Sequence, residues 1–104
     1  MRMDYETMIM NIIVNAGNAR SKFIEAIRYA KEGDLNKANE TIALGKEDLN
    51  LAHDVQTELI QSEAAGDKNE VTLLMVHAQD HLMNAMTVRD FATEIVELYA
   101  IIKH

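Results

Sequence analysis

Two glycine–aspartate breaks constrain what this chain can fold into. They lie at Lys31-Glu32-Gly33-Asp34 and Ala64-Ala65-Gly66-Asp67, in 104 residues that contain four glycines and no proline. Each pairs a glycine able to take the left-handed conformation after a helix with an aspartate able to cap the next one. Asp67 is followed three residues later by Glu70, a capping-box-like spacing with aspartate in place of Ser or Thr. The segments between the breaks are rich in Ala, Leu, Met, Glu, Lys and Gln, all strong helix formers. The pattern predicts an all-α chain, one domain over 1–104, with helices at about 4–32, 35–65 and 68–102. Connections this short make consecutive helices antiparallel neighbours, an antiparallel three-helix bundle.

The first predicted helix carries one apolar stripe: Tyr5, Ile9, Ile12, Ala16, Ala19, Phe23, Ile27 and Ala30. The second carries Leu35, Ala38, Ile42, Gly45, Leu49, Ala52 and Leu59. Both fit a single buried face. Gly45 costs roughly 1 kcal/mol of helix propensity against alanine, which close packing would offset. The third helix has two apolar arcs. Val71, Leu74, Ala78, Leu82, Ala85, Val96 and Ala100 can face the other helices. Leu73, Val76, Met83, Phe91 and Leu98 lie on the opposite side. A three-helix monomer cannot bury both, and a surplus apolar face on a helical domain points to self-association or a partner. With Asp80, Thr87 and Glu94 interposed, the second arc follows the three/four spacing of a coiled-coil seam.

Several function classes drop out on composition. Cysteine is absent, so disulfides, thiolate metal sites and cysteine nucleophiles are excluded, as suits a reducing cytosol. Met1 to Thr7 carries Arg2, Asp4 and Glu6 and lacks the apolar core of a signal peptide. No apolar run approaches the roughly 20 residues of a membrane span. The net charge is −7. Residues 34–66 hold two basic and seven acidic groups, against five and four in 1–33 and three and six in 67–104. No basic face for nucleic acid emerges. An acidic surface suits steering toward a basic protein partner, or serves solubility alone.

The chemistry concentrates in Leu74-Met75-Val76-His77-Ala78-Gln79-Asp80-His81-Leu82-Met83. At 100° per residue, Asp80 falls about 60° to one side of His77 and His81 about 40° to the other, so all three share a face. Asp80 lies near the centre of the surplus seam. An unpaired carboxylate there must protonate, pair or bind a cation. Two-fold symmetry would bring two carboxylates together and three-fold symmetry three, a hard-cation site of the magnesium or calcium type. A shorter seam would leave Asp80 facing solvent. His77, offset from the seam, can present a ring nitrogen as a nucleophile near neutral pH. His81 reads as a second ligand, a donor to a phosphoryl oxygen, or a surface histidine. Gln79 and Asn84 read as further amide donors. His53 and His104 read as ordinary surface residues. His77 and His81 have the spacing of H-E-x-x-H without its glutamate. No Glu-x-x-His tetrad of a di-iron bundle is present, and no phosphate-binding glycine motif.

The segment His77-Ala78-Gln79-Asp80-His81-Leu82-Met83 resembles the active segment of the lactose/cellobiose (N,N′-diacetylchitobiose) family of enzyme IIA components of the bacterial sugar phosphotransferase system. Ala16-Gly17-Asn18-Ala19-Arg20-Ser21 with Glu25-Ala26 and Glu32-Gly33-Asp34 is similar to that family's first helix and turn. Ala52-His53, Gln56-Thr57, Leu59-Ile60 and Glu63-Ala64 are similar to its second helix, and the likeness runs from about Ile12 to Lys103. The resemblance implies a cytoplasmic homotrimer, a nine-helix bundle, with His77 phosphorylated on Nε2. It implies that the three Asp80 carboxylates share one divalent ion, usually Mg2+. The phosphoryl group would come from the phosphocarrier HPr and pass to a cysteine of the IIB component, with the membrane IIC component carrying a disaccharide. No Arg or Lys lies within the His77 segment, which fits a site that holds phosphate only modestly. Two other readings are a histidine phosphotransfer domain, which usually has lysine where Asp80 stands, and a non-catalytic helical oligomerisation module.

Overall fold

Gly33 and Gly66 adopt φ of 90° and 101°, the left-handed region in which a Cβ would clash with the backbone. Each closes a helix in the same way. Gly33 N–H donates to Ala30 O at 3.0 Å and Asp34 N–H to Tyr29 O at 3.0 Å. Gly66 N–H donates to Glu63 O and Asp67 N–H to Ser62 O, both at 3.0 Å. Otherwise unpaired carbonyls at the helix ends are thereby satisfied. The computed structural model describes residues 4–102. It consists of α1 (Tyr5–Lys31), α2 (Leu35–Ala64) and α3 (Leu73–Ile102), with no strand among the described residues. The ends of the resemblance at Lys103, the residue Arg2 and the terminal His104 lie outside them.

Asp4 caps α1, its carboxylate accepting from Thr7 N–H at 2.8 Å, a bond that holds its pKa below the ordinary aspartate value. Asp34 caps α2 by accepting from Lys37 N–H at 3.0 Å. Asp67 does not cap α3. The chain instead runs as a non-helical strap over 67–72, and α3 begins at Leu73. Thr72 takes the capping role: its hydroxyl accepts from Met75 N–H at 3.1 Å and its carbonyl from Val76 N–H at 3.1 Å. The Tyr5 hydroxyl of α1 donates to the Glu70 carbonyl. That tertiary bond holds the strap away from helical geometry, so local Asp-x-x-Glu spacing does not decide the boundary.

The rod measures 54 × 22 × 21 Å. α1 packs against both other helices, which touch each other less. Tyr5 meets the strap before α3, and Lys22 pairs with Asp48 near the middle of α2. α1 and α3 therefore run the same way and α2 runs against them. The predicted stripes form the core. Ile9, Ile12, Ala16, Ala19, Phe23 and Ala30 of α1 are buried, as are Ala38, Ile42, Gly45, Leu49, Ala52 and Leu59 of α2. From α3 come Ala78, Leu82, Ala85, Ala92 and Val96. Tyr5, Ile27, Leu35 and Ala100, also expected there, are only half-buried; Val71 sits in the strap and is 79% exposed, and Leu74, in the first turn of α3, is also exposed. The second arc of α3 is open as the pattern requires, with Leu73 85% and Phe91 65% exposed.

Gly45 of α2 lies directly against the Phe23 ring of α1. A Cβ there would stand 2.6 Å from Phe23 Cε1 and 3.0 Å from its Cδ1, and Phe23 is fully buried. Gly45→Ala is expected to lower the thermal midpoint. Overpacking costs about 1–3 kcal/mol, more than the roughly 0.8–1 kcal/mol that alanine returns in propensity. Gly17→Ala, whose Cβ meets nothing within 4 Å, is expected to raise it by up to about 1 kcal/mol of stability. Thr72→Ala should cost about 1 kcal/mol in urea unfolding and speed amide exchange selectively at Met75 and Val76.

Candidate active site

His77 lies just beyond the first turn of α3, and its exposed ring is met by the half-buried ring of His81 one turn on. The two Nε2 atoms are 3.0 Å apart, with ring centroids at 4.4 Å and planes at 86°. The i, i+4 step of the helix stacks these side chains on one surface. In a neutral pair one Nε2 carries the proton and the other accepts it. With the proton on His81 Nε2, His77 keeps its own proton on Nδ1 and holds a lone pair on Nε2. That is the tautomer a nucleophile needs.

His77, Asp80 and His81 line one shallow depression together with Asn84, Val88 and Arg20. The grouping of the first three follows the helical spacing. Asp80 is exposed and has no hydrogen bond or ion pair among the described residues. Within one chain no three His, Cys, Asp or Glu groups converge as a metal site among those residues. A carboxylate oxygen is a donor of the type hard cations take.

Arg20 reaches the depression from α1. The sequence segment around His77 holds no cation, as its composition shows, but one comes from elsewhere in the chain. The parallel packing of α1 and α3 supplies a guanidinium from a distant part of the chain. Its planar donors match phosphoryl oxygens, and its exposure keeps that attraction modest through solvent screening.

Gln79 lies elsewhere. Its Oε1 accepts from Gln56 Nε2 of α2 at 2.6 Å, and its Nε2 donates to Met75 Sδ at 3.5 Å. Two helical residues are 200° of turn, so Gln79 joins α3 to α2 while His77 faces the other way. Asn84 does line the site. Leu73 and Leu74 form an apolar surface on the other side of His77. His53 is an exposed residue of α2.

The family of the lactose/cellobiose-specific IIA subunit of the phosphotransferase system matches residues 7–100. The lichenan-specific phosphotransferase enzyme IIA component of Bacillus subtilis is 57% identical over 99 residues, covering 95% of this chain and 90% of the relative. The crystal structure of the cellobiose-specific enzyme IIA of Bacillus anthracis superposes with a TM-score of 0.93 at 48% identity, over 99% of this chain and 94% of that one. The solution structure of the IIA(chitobiose)–HPr complex of Escherichia coli matches with a TM-score of 0.85 at 40% identity, over 99% of this chain and all of that one.

Proposed function

The chain belongs to the lactose/cellobiose-specific IIA family of the sugar phosphotransferase system and is a phosphotransferase component of it, and we propose that His77 is the residue that carries the phosphoryl group. The observation behind this assignment is the exposed His77 imidazole, whose Nε2 meets His81 at 3.0 Å in a depression that also holds Arg20. Membership of the family displaces the readings as a two-component phosphotransfer domain and as a non-catalytic module.

The donor is HPr, the partner in the similar IIA(chitobiose)–HPr complex. The lone pair on His77 Nε2 forms a P–N bond as the P–N bond on the donor histidine breaks. In the second half, a cysteine thiolate of the IIB component forms an S–P bond as the bond to Nε2 breaks, and Nε2 recovers its lone pair. Little covalent chemistry remains for the protein beyond holding the atoms in line and meeting the equatorial oxygens. His81 suits the second task. Once Nε2 of His77 carries phosphorus, the His81 N–H it accepted from is free to donate to a phosphoryl oxygen. Arg20 offers screened positive charge from α1. A phosphohistidine must also be released, and one half-buried and one exposed donor hold it without trapping it. The reaction serves uptake of a disaccharide of the cellobiose, chitobiose or lactose type, carried by the membrane IIC component, with this chain in the cytoplasm. Among the described residues no helix is long and apolar enough to cross a membrane.

The assembly is a homotrimer, a nine-helix bundle. Leu73, Val76, Met83, Phe91 and Leu98 remain exposed along one side of α3, an apolar stripe that nothing in the single chain covers. Asp80 sits on the same side. Three copies would set three carboxylates together, and a shared Mg2+ held by Asp80 of each copy would offset two of their three negative charges. The ion's part is structural charge compensation; the phosphoryl chemistry stays with His77.

Phospho-HPr is expected to label the chain on His77, and His77→Gln should reduce labelling to background; label at full level in that variant would move the site elsewhere. His81→Ala should slow transfer roughly tenfold or more, since a charge-assisted hydrogen bond contributes about 1.5–3 kcal/mol. Unchanged transfer would remove its role. In light scattering, a three-chain mass that falls when a chelator is added supports the shared ion. Asp80→Asn should make the mass insensitive to chelator. A single-chain mass in both conditions contradicts the assembly.

A further inference from the structure

We propose that the His77–His81 pair is also a chelating site for a borderline divalent transition metal of the Zn2+ class, and that the bound ion and the phosphoryl group exclude each other. The exclusion rests on His77 being the phosphorylated residue; the metal site does not. The two Nε2 atoms stand 3.0 Å apart on successive turns of one helix. Zinc binds imidazole nitrogen at about 2.0–2.1 Å, so neighbouring ligand atoms lie roughly 2.9 Å apart at a right angle and 3.3–3.4 Å apart at the tetrahedral angle. The observed separation falls at the lower end of that window. An ion can therefore replace the shared proton once the two rings turn so that both lone pairs meet at one centre off the Nε2–Nε2 line, on a backbone that the rest of the helix already holds.

The donor chemistry selects the metal. Two neutral imidazoles suit Zn2+, Cu2+ or Ni2+, whereas Mg2+ prefers oxygen and retains its waters. This site is therefore distinct from a hard-cation site at Asp80. His77 keeps its proton on Nδ1, and His81 moves its proton from Nε2 to Nδ1 so that its Nε2 lone pair is also offered; the neutral pair therefore loses no net proton on binding. Facing charges come from Arg20 of α1, which opposes a cation, and Asp80 of α3, which favours one. No third His, Cys, Asp or Glu converges with the pair among the described residues, so water completes the coordination. The ion is exchangeable, unlike a four-ligand structural zinc. Each Nε2 has one lone pair. With that pair on metal, His77 cannot attack phosphorus. With phosphorus on Nε2, the chelate loses a ligand.

Calorimetry with ZnCl2, on the whole chain in excess Mg2+, tests the site. One Zn2+ per chain is expected. His77→Gln and His81→Gln should each weaken binding by roughly tenfold or more, at least the loss typical of removing a second-shell partner. His53→Gln should leave it unchanged. In imidazole NMR spectra, His77 and His81 should shift together on Zn2+ addition while His53 stays. Undiminished binding in both the His77 and His81 variants, or shifts confined to other histidines, overturns the site. Zn2+ should also block labelling by phospho-HPr with the midpoint found in calorimetry, and a zinc-selective chelator should restore it. Binding at the pair with labelling unaffected overturns the exclusion if His77→Gln abolishes label. If that variant still labels, the fault lies with the choice of phosphorylated residue.

Discussion

The close approach of α1 to its neighbours, made possible by small side chains, underlies the rest of the structure. Ala16, Ala19, Ala26 and Ala30 of α1, Ala38 and Ala52 of α2, and Ala78, Ala85 and Ala92 of α3 are all fully buried. Phe23 lies against Gly45, where even a methyl group would not fit. Such a core is thin, and it holds three long helices in register. It also leaves many of the larger apolar residues outside. Leu73, Phe91 and Ile101 are exposed while alanines occupy the interior, the reverse of the usual ordering by size. The helices pack closely, and that close packing leaves apolar surface over along α3.

That rigidity serves the site. His77 and His81 stand on a helix, and the pair inherits its spacing from backbone geometry instead of from a loop. Helix-borne groups are held more accurately than loop-borne ones. The strap over 67–72 and the Thr72 cap start α3 one turn before His77. Gln79, bonded to Gln56, ties the opposite side of the same turn to α2. The His77 imidazole remains exposed, as the role proposed for it between two partner proteins requires. Arg20, Asp80 and the two rings then form a polar island beside an apolar rim at Leu73 and Leu74.

The stripes of α1 and α2 were legible because a helix repeats every 3.6 residues and both stripes face one core. The grouping of His77, Asp80 and His81 was legible for the same reason. Gln79 was misjudged although the same geometry puts it on the far side of the turn; nearness in sequence stood in for nearness in space. Leu74 was placed in the core on angular grounds, but it lies with Leu73 beside His77 on the open surface of α3.

Arg20 and the start of α3 were of another kind. Asp67 and Thr72 both have the side-chain chemistry of a cap, and the choice between them follows from a phenol on α1 bonding to Glu70. Arg20 enters the site only because α1 and α3 lie side by side in the same direction. Helix identity, buried faces and the imidazole pair were thus determined by the sequence itself, since each depends on interactions within a few turns of one helix. The boundary of α3 and the cation beside His77 were decided by tertiary structure, since each depends on two segments whose meeting no local period encodes.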